Sequence, residues 1–240
     1  MNFNGETQVK EIAVASPGAT RILEQAGVDY CCGGDKSLHD ACAHAGVSTE
    51  EIMARLQENR AEVGPADADW VSAPLSELTE HIREKHHRYV RESIPRVRKL
   101  LERVKAKHGA NHPEIQDIER LFLQVGREMI AHMQKEEHVL FPYIEALERA
   151  ANGTEAIEPP FFQTVRNPVH AMMQEHDAAG ALVKQIRTAS SAYTPPAGAC
   201  MSYQALYREL HEFEADLHQH VHLENNILFP RAVELEATIL

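Results

Sequence analysis

Two stretches of the chain, HMQKEEHVLFP at residues 132–142 and HVHLENNILFP at residues 220–230, share the pattern His-x-x-x-Glu-x-x-x-Leu-Phe-Pro. Aligned over residues 132–148 and 220–236, the two segments are identical at seven of 17 positions. Average composition would give roughly one identity over such a length. The repeat therefore reflects a duplicated structural unit.

The residues that precede each segment repeat as well. His81 and His87 have the same spacing as His170 and His176, 89 positions further along the chain. We infer two copies of one helical hairpin, and long helices of this kind with short breaks and one long crossover form an antiparallel four-helix bundle. Hydrophobic periodicity predicts the helices at 75–106, with Pro95 as a kink, 114–149, 168–188 and 201–238.

The first 60 residues have a different organisation. They read as short helices with tight breaks, and the glycines of DYCCGG at residues 29–34 indicate a turn. A polar, proline-containing linker is expected at 61–73. We therefore expect an all-α protein with a small N-terminal helical domain at 1–60, this linker, and the bundle at 74–240.

Composition excludes several classes of function. The net charge is −12, and without a basic stripe we expect no nucleic-acid binding. No apolar run approaches the ~20 residues of a membrane span, and no signal peptide is recognised, so we expect a cytoplasmic protein. Four cysteines are too few for a disulfide scaffold, whereas 15 histidines and 36 acidic residues supply ligands that ferrous iron accepts.

The repeated His and Glu interrupt otherwise apolar helical stripes. A pair such as His132 and Glu136, one turn apart, is compatible with simple packing, in which the carboxylate accepts a hydrogen bond from the imidazole. His220 and Glu224 form a second pair, which points into the same space. Two buried carboxylates repel each other unless a cation lies between them. We therefore expect a metal site.

Further ligands are expected from the helices at 75–106 and 168–188. His176 lies on the inward apolar stripe of the latter. In the former, early apolar positions favour His86 and later positions favour His87. The repeat equates His87 with His176, so we choose His87 and keep His86 as the alternative. Four imidazoles and two carboxylates suit two metal ions, and donors without thiolate favour iron or manganese.

Other polar residues have weaker signals. Glu128 and Asp216 lie one turn before His132 and His220, where they would either accept hydrogen bonds from those imidazoles or be solvated on the bundle edge. The remaining histidines are expected mostly on the surface: His39, His44, His108, His112, His138, His211, His218 and His222.

The paired H-x-x-x-E-x-x-x-LFP segments resemble hemerythrin-like domains. DYCCGG followed by such a bundle resembles the repair-of-iron-centres family of the ScdA/YtfE type, and the similarity includes WVSAPLSELTEHI at 70–82 and EHDAAG at 175–180. The resemblance implies a hemerythrin-like bundle with two non-haem iron ions, bridged by an oxo group or by carboxylates. The implied ligands are His87, His132, Glu136, His176, His220 and Glu224.

The resemblance also implies repair of iron–sulfur clusters damaged by nitric oxide or peroxide, with apo or damaged iron–sulfur proteins as partners. Cys31 and Cys32 would then serve redox chemistry or iron transfer; the alternative is that they are only two small residues in a tight turn. We expect iron donation. The alternatives are a nitric oxide reductase at the di-iron centre and a gas-binding or sensing module. The short N-terminal helices are also compatible with a homodimer.

Overall fold

The computed structural model describes residues 3–58, 69–154, 156–158 and 160–239. Within these ranges the chain is helical apart from loops and one isolated β-bridge between Gln8 and Ser37, which confirms the predicted all-α class. Most of the predicted linker, residues 61–68, lies outside the described residues. None of the described helices has both the length and the apolar character that crossing a membrane requires.

The N-terminal part is built from short helices around its own apolar cluster. Buried side chains from all of its helices meet there, including Ile12, Leu23, Leu38 and Ile52. This cluster gives the segment a core separate from that of the bundle. The helices are α1 (Val9–Ala15), α2 (Pro17–Gln25), α3 (Leu38–Ala45) and α4 (Thr49–Glu58).

The bundle is built from long helices, three of which contain a π-helical segment. α5 joins Leu75–His81 to Arg88–His108, α6 joins Glu114–Lys135 to Phe141–Ala151, α7 is Arg166–Ala189, and α8 joins Met201–Leu223 to Phe229–Ile239. α5 packs against α6 and α8, and α6 packs against α7. The predicted helices lie within about two residues of these bounds. α5 continues through Pro95.

The π-helical segments, Ile82–His87, Glu136–Leu140 and Glu224–Leu228, lie where the repeated His and Glu residues were noted. Pro142 and Pro230 of the LFP motifs follow two of them. A proline has no N–H for the carbonyl four residues earlier and its ring crowds that carbonyl, and a π turn relieves this conflict. The LFP motif thus explains a local widening of α6 and α8.

Two identical glutamates of the repeat tie each hairpin together. Glu148 at the end of α6 accepts hydrogen bonds from the backbone N–H groups of Leu75 (2.5 Å) and Ser76 (3.0 Å) at the start of α5. Glu236 does the same for Val165 (2.8 Å) at the start of α7. Each carboxylate satisfies N–H groups that lack partners within the helix. The repeat therefore preserves a capping contact between helices.

The DYCCGG turn packs against the outer face of α8. The Tyr30 carbonyl accepts a hydrogen bond from Asn226 Nδ2 (3.0 Å), and the Tyr30 hydroxyl accepts one from Gln219 Nε2 (2.7 Å). His218 Nδ1 lies 2.9 Å from Glu24 of α2. The N-terminal part therefore contacts the helix that also carries His220 and Glu224.

Candidate metal centre

Two overlapping groups of buried side chains occupy the middle of the bundle. In each group, one donor atom per residue lies within 4.8 Å of the others. Glu136 and Glu224 belong to both groups, and each carboxylate is 0% exposed. The first group is completed by His87 and His220, and the second by His132 and His176. The structure thus brings together all six residues predicted as ligands.

Donor atoms approach one another closely in the second group. His132 Nε2 lies 3.0 Å from His176 Nε2 and 3.2 Å from a Glu136 oxygen. His176 Nε2 lies 3.0 Å from a Glu224 oxygen. These atoms converge from α6, α7 and α8 on one small volume.

The first group is slightly wider. His220 Nε2 lies 3.0 Å from Glu224 Oε1. His87 Nε2 lies 3.4 Å from Glu136 Oε2, at an angle unsuited to a hydrogen bond. Both rings present Nε2 to the shared carboxylates.

Three of the imidazoles are fixed from behind by an acceptor on a neighbouring helix. His87 Nδ1 lies 2.7 Å from Glu137, His132 Nδ1 lies 3.0 Å from Glu175, and His176 Nδ1 lies 2.8 Å from Asn225. An imidazole that donates its outer N–H to an oxygen directs a lone pair inward from the other nitrogen.

This arrangement fits a pair of cations. His132 and His176 both donate from Nδ1, so in their neutral forms two Nε2 lone pairs face each other and the carboxylates. Among the described residues, both Glu136 oxygens, Glu224 Oε2 and His87 Nε2 are buried without a hydrogen-bond partner. Buried acceptors facing acceptors require a positive charge between them. Carboxylates common to both groups are placed to bridge two ions.

Electrostatics in the metal-free protein support the same reading. Burial opposes the charged form of His132, but the negative charge of Glu136 and the hydrogen bond to Glu175 outweigh burial and raise the pKa of His132 to about 10. Burial also opposes ionisation of Glu224, yet His220 and His176 keep the pKa of Glu224 well below its usual value. In the metal-free protein the carboxylates are therefore charged, and protonated His132 supplies positive charge that a bound metal ion would replace.

The LFP motifs line the centre with apolar surface. The ring of Phe141 is parallel to that of His87 within 15°, with centroids 5.6 Å apart, and Phe229 is parallel to His176 within 4°, at 6.1 Å. Leu140 and Leu228 are buried beside them. These side chains exclude water and limit rotation of two candidate ligands.

The structure decides between the two alternatives given for Glu128 and Asp216. Glu128 is exposed and bonds to Gln124, so it is the solvated alternative. Asp216 Oδ1 accepts a hydrogen bond from His86 Nδ1 at 2.9 Å, not from His220. Of the two alternatives, Glu128 thus takes the solvated one, and Asp216 contacts a different imidazole from the one considered.

The acceptors that do contact the imidazoles were missed because they lie on neighbouring helices. The repeat contained a usable signal, since Glu137 and Asn225 each follow a shared glutamate directly. Glu175 likewise precedes His176 directly. In this bundle the acceptors therefore adjoin candidate ligands in the sequence, instead of lying one turn before them.

His86, the alternative ligand, lies outside the donor groups, and two histidines expected on the surface are partly or fully buried. His86 is buried but belongs to neither donor group. The surface assignment is wrong for His222, which is buried and accepts a hydrogen bond from Asn226, and His218 is half-buried against Glu24. Both flank the Tyr30 ring, at centroid distances of 5.5 and 6.4 Å.

Cys31 and Cys32 lie outside both donor groups. They line a cavity of about 350 Å³ between the N-terminal part and the bundle. The Cys31 thiol is buried, and its hydrogen bond with Cys32, together with burial, raises its pKa well above the usual value. Cys32 is half-buried. Asp29 accepts hydrogen bonds from both backbone N–H groups, which fixes the turn.

The glycines of DYCCGG are required by close packing. A Cβ at Gly33 would lie 2.9 Å from the Asp29 carboxylate, and one at Gly34 would lie 2.9 Å from Lys10 Cβ and 3.0 Å from the Tyr30 carbonyl oxygen. Real Cβ contacts are essentially never shorter than 3.0 Å. The two glycines therefore allow the turn to place both thiols at the cavity.

Comparison with protein families supports this two-part architecture. Residues 78–232 match the hemerythrin HHE cation binding domain. Residues 5–60 match a domain of unknown function, DUF542. The first match contains all six residues of the donor groups, and the second contains both vicinal cysteines.

Curated relatives are similar over nearly their entire length. A probable iron–sulfur cluster repair protein of Haemophilus influenzae is 36% identical over 240 residues, covering 97% of this chain and 99% of the relative. Iron–sulfur cluster repair protein YtfE of Musicola paradisiaca is 34% identical, covering 97% and 98%. YtfE of an Escherichia coli strain is 34% identical, covering 93% and 94%.

Proposed function

The chain belongs to the YtfE family of iron–sulfur cluster repair proteins, and from this premise we propose that it repairs damaged clusters by donating iron from a di-iron centre. The proposed ligands are the six residues of the two donor groups, with the shared glutamates as bridges. The observation that carries the proposal is the sharing of Glu136 and Glu224 by both groups.

The donor set favours iron over the alternatives. Imidazole nitrogens and carboxylate oxygens without a thiolate suit ferrous iron or manganese rather than a cluster or a structural zinc. Of iron and manganese, we propose iron, because the similar proteins are named for iron–sulfur cluster repair. Bound there, iron would supply redox and Lewis-acid chemistry.

In this proposal iron is the species transferred, and the donor atoms of the centre make its transfer chemically reasonable. Ferrous iron held by oxygen and nitrogen donors is bound less tightly than iron held by the thiolates of a cluster site. The protein's contribution is to hold the ion in a dry site and to keep the imidazoles oriented through Glu137, Glu175 and Asn225. An apo or damaged iron–sulfur protein is the proposed acceptor.

The vicinal thiols are the proposed point of transfer or redox chemistry. Cys32 is the more accessible of the two and lines the cavity beside α7, and the same turn contacts α8 through Tyr30. Free thiols such as these persist in a reducing compartment, which supports a cytoplasmic location. Nitric oxide and peroxide are the proposed small ligands of the centre.

The proposal is tested by measuring whether iron moves from this protein to an acceptor protein. Anaerobically iron-loaded protein is mixed with the apo form of a [4Fe–4S] protein, sulfide and a reductant, and both iron transfer and the acceptor's cluster absorbance are measured. Donation predicts that iron leaves and an active cluster forms. Glu128→Gln is a matched control that should transfer normally, because Glu128 does not contact the centre.

The same experiment, repeated with nitric oxide, distinguishes iron donation from the two alternative functions. Iron that stays bound while nitric oxide is consumed with an electron donor would replace donation by nitric oxide reduction at the same centre. Iron that stays bound while nitric oxide binds reversibly and is not consumed would favour a gas-binding role.

A further inference from the structure

The contacts behind the four imidazoles differ between the two halves of the bundle. Glu137 and Asn225 occupy the same position of the repeat and contact His87 and His176. Glu175 contacts His132. The fourth imidazole, His220, has no acceptor for Nδ1 in the described part of the chain.

His86 takes the place of the missing carboxylate. The offset of 89 between α5 and α7 equates His86 with Glu175, just as it equates His87 with His176. The His86 ring is parallel to that of His220 within 12°, with centroids 5.7 Å apart. Its side chain is 1% exposed. It is therefore the nearest counterpart of the carboxylate that fixes His132.

Asp216 makes His86 an acceptor. Its Oδ1 receives a hydrogen bond from His86 Nδ1 at 2.9 Å, which leaves a lone pair on Nε2 of the neutral ring. A doubly protonated ring would instead bury an N–H without an acceptor. His86 Nε2, His220 Nδ1 and Asp216 Oδ2 are all buried without a partner among the described residues.

We propose that Asp216 and His86 together position His220, with one ordered water joining His220 Nδ1 to His86 Nε2. His220 Nδ1 as donor and His86 Nε2 as acceptor, both buried without another partner among the described residues, are the pair of groups that a bridging water joins. Each ion would thus have one imidazole backed by a carboxylate, His87 or His132. The second imidazole of one ion, His176, has a direct oxygen acceptor, whereas His220 has only a water-mediated contact. Because a direct acceptor orients and strengthens an imidazole ligand, the ion held by His87 and His220 is the first to leave.

The inference rests on the proposed di-iron centre but not on donation to a cluster. It concerns only the relative release of two ions. Its test therefore uses a soluble ferrous chelator and needs no acceptor protein, so failure of cluster transfer leaves it standing.

The experiment measures release of iron from anaerobically loaded protein to ferrozine by stopped flow. Wild-type protein should release iron in two phases of equal amplitude. His86→Phe, which keeps a ring in place, and Asp216→Ala should each accelerate only the fast phase, by about tenfold or more. Glu175→Ala should accelerate only the slow phase, and Glu128→Gln, at the repeat position of Asp216, should change neither.

A variant that is expected to slow iron release serves as a further test, because misfolding could not produce slower release. His86→Glu combined with Asp216→Ala recreates the carboxylate arrangement of the other half without placing two carboxylates side by side. It should slow the fast phase towards the slow one and make the two iron sites more alike in Mössbauer spectra. A single phase in wild-type protein, or equal effects of His86→Phe and Asp216→Ala on both phases or on neither, would overturn the inference.

Discussion

The Nε2 atoms of His132 and His176 lie 3.0 Å apart although the two rings come from different hairpins. Each ring has its Nδ1 facing an oxygen acceptor, so both Nε2 atoms point inward, and the raised pKa of His132 keeps a proton between them in the metal-free protein. A metal ion would take the place of that proton between the two nitrogens and the shared carboxylates. The duplicated hairpin thus creates a site that neither copy contains alone.

Replacing either shared carboxylate should disrupt metal pairing. Glu136→Gln and Glu224→Gln keep the side-chain volume but remove a negative charge that both donor groups use. We expect at most one iron per chain in each variant, measured by elemental analysis of folded, anaerobically purified protein. Glu128→Gln should match the wild type. Two irons in either bridging variant would exclude the proposed ligand set.

The contact behind His87 should contribute to metal affinity. Glu137 accepts from His87 Nδ1 and is itself held by Arg91. Glu137→Ala should lower metal affinity by about 10–100-fold, measured by competition with a chelator of known affinity. Glu84→Gln, an exposed change on α5, the helix of His87, is the control. An unchanged affinity in Glu137→Ala would show that this contact does not orient the ligand.

The capping glutamate should make stability depend on acid. Burial opposes ionisation of Glu148, but hydrogen bonds from Ser76 and Leu75 outweigh burial and lower its pKa. The contribution is therefore complete above the unfolded value of about 4.3 and is lost as pH falls through the lower folded pKa. Glu148→Ala should cost about 1–3 kcal/mol at pH 7 by urea denaturation.

The same comparison at low pH provides the internal check. Below the folded pKa the wild-type carboxyl is protonated, so the difference between wild type and Glu148→Ala should shrink there. Glu234→Gln, an exposed change on α8, should have little effect at either pH. A constant difference at all pH values would assign the effect to packing instead of charge.

The vicinal thiols should differ in reactivity. Cys31 is buried with a raised pKa, whereas Cys32 is half-buried at the cavity. Iodoacetamide should modify Cys32 at least about tenfold faster than Cys31 in native protein, followed by mass spectrometry. Cys42, which is buried and has a pKa raised by burial, is the unreactive reference. Faster modification of Cys31 would contradict the described turn.

The repeat was sufficient to predict the bundle and the six converging residues, because an amphipathic stripe and a duplicated motif depend on local spacing alone. The choice between His86 and His87 could not be made on a 3.6-residue period. The π-helical segment Ile82–His87 adds a residue to the turn, so both side chains are buried. A helical wheel cannot represent that change of register.

Contacts between helices were the second feature that the sequence could not predict. Glu128 and Asp216 were natural partners on their own helices, but the ends of their side chains reach Gln124 and His86 instead. Which acceptor meets an imidazole depends on how α5, α6, α7 and α8 are placed around the centre. That placement is a property of the tertiary structure.

X-ray absorption spectroscopy at the iron edge, with elemental analysis of the same sample, tests the central claim most directly. Protein purified anaerobically from iron-replete cells should contain two irons per chain. Its spectrum should show nitrogen and oxygen donors, a nearby second iron and no sulfur. Folded protein that contains no iron, or iron bound by sulfur, would contradict the proposed centre and return the buried His and Glu residues to a packing role.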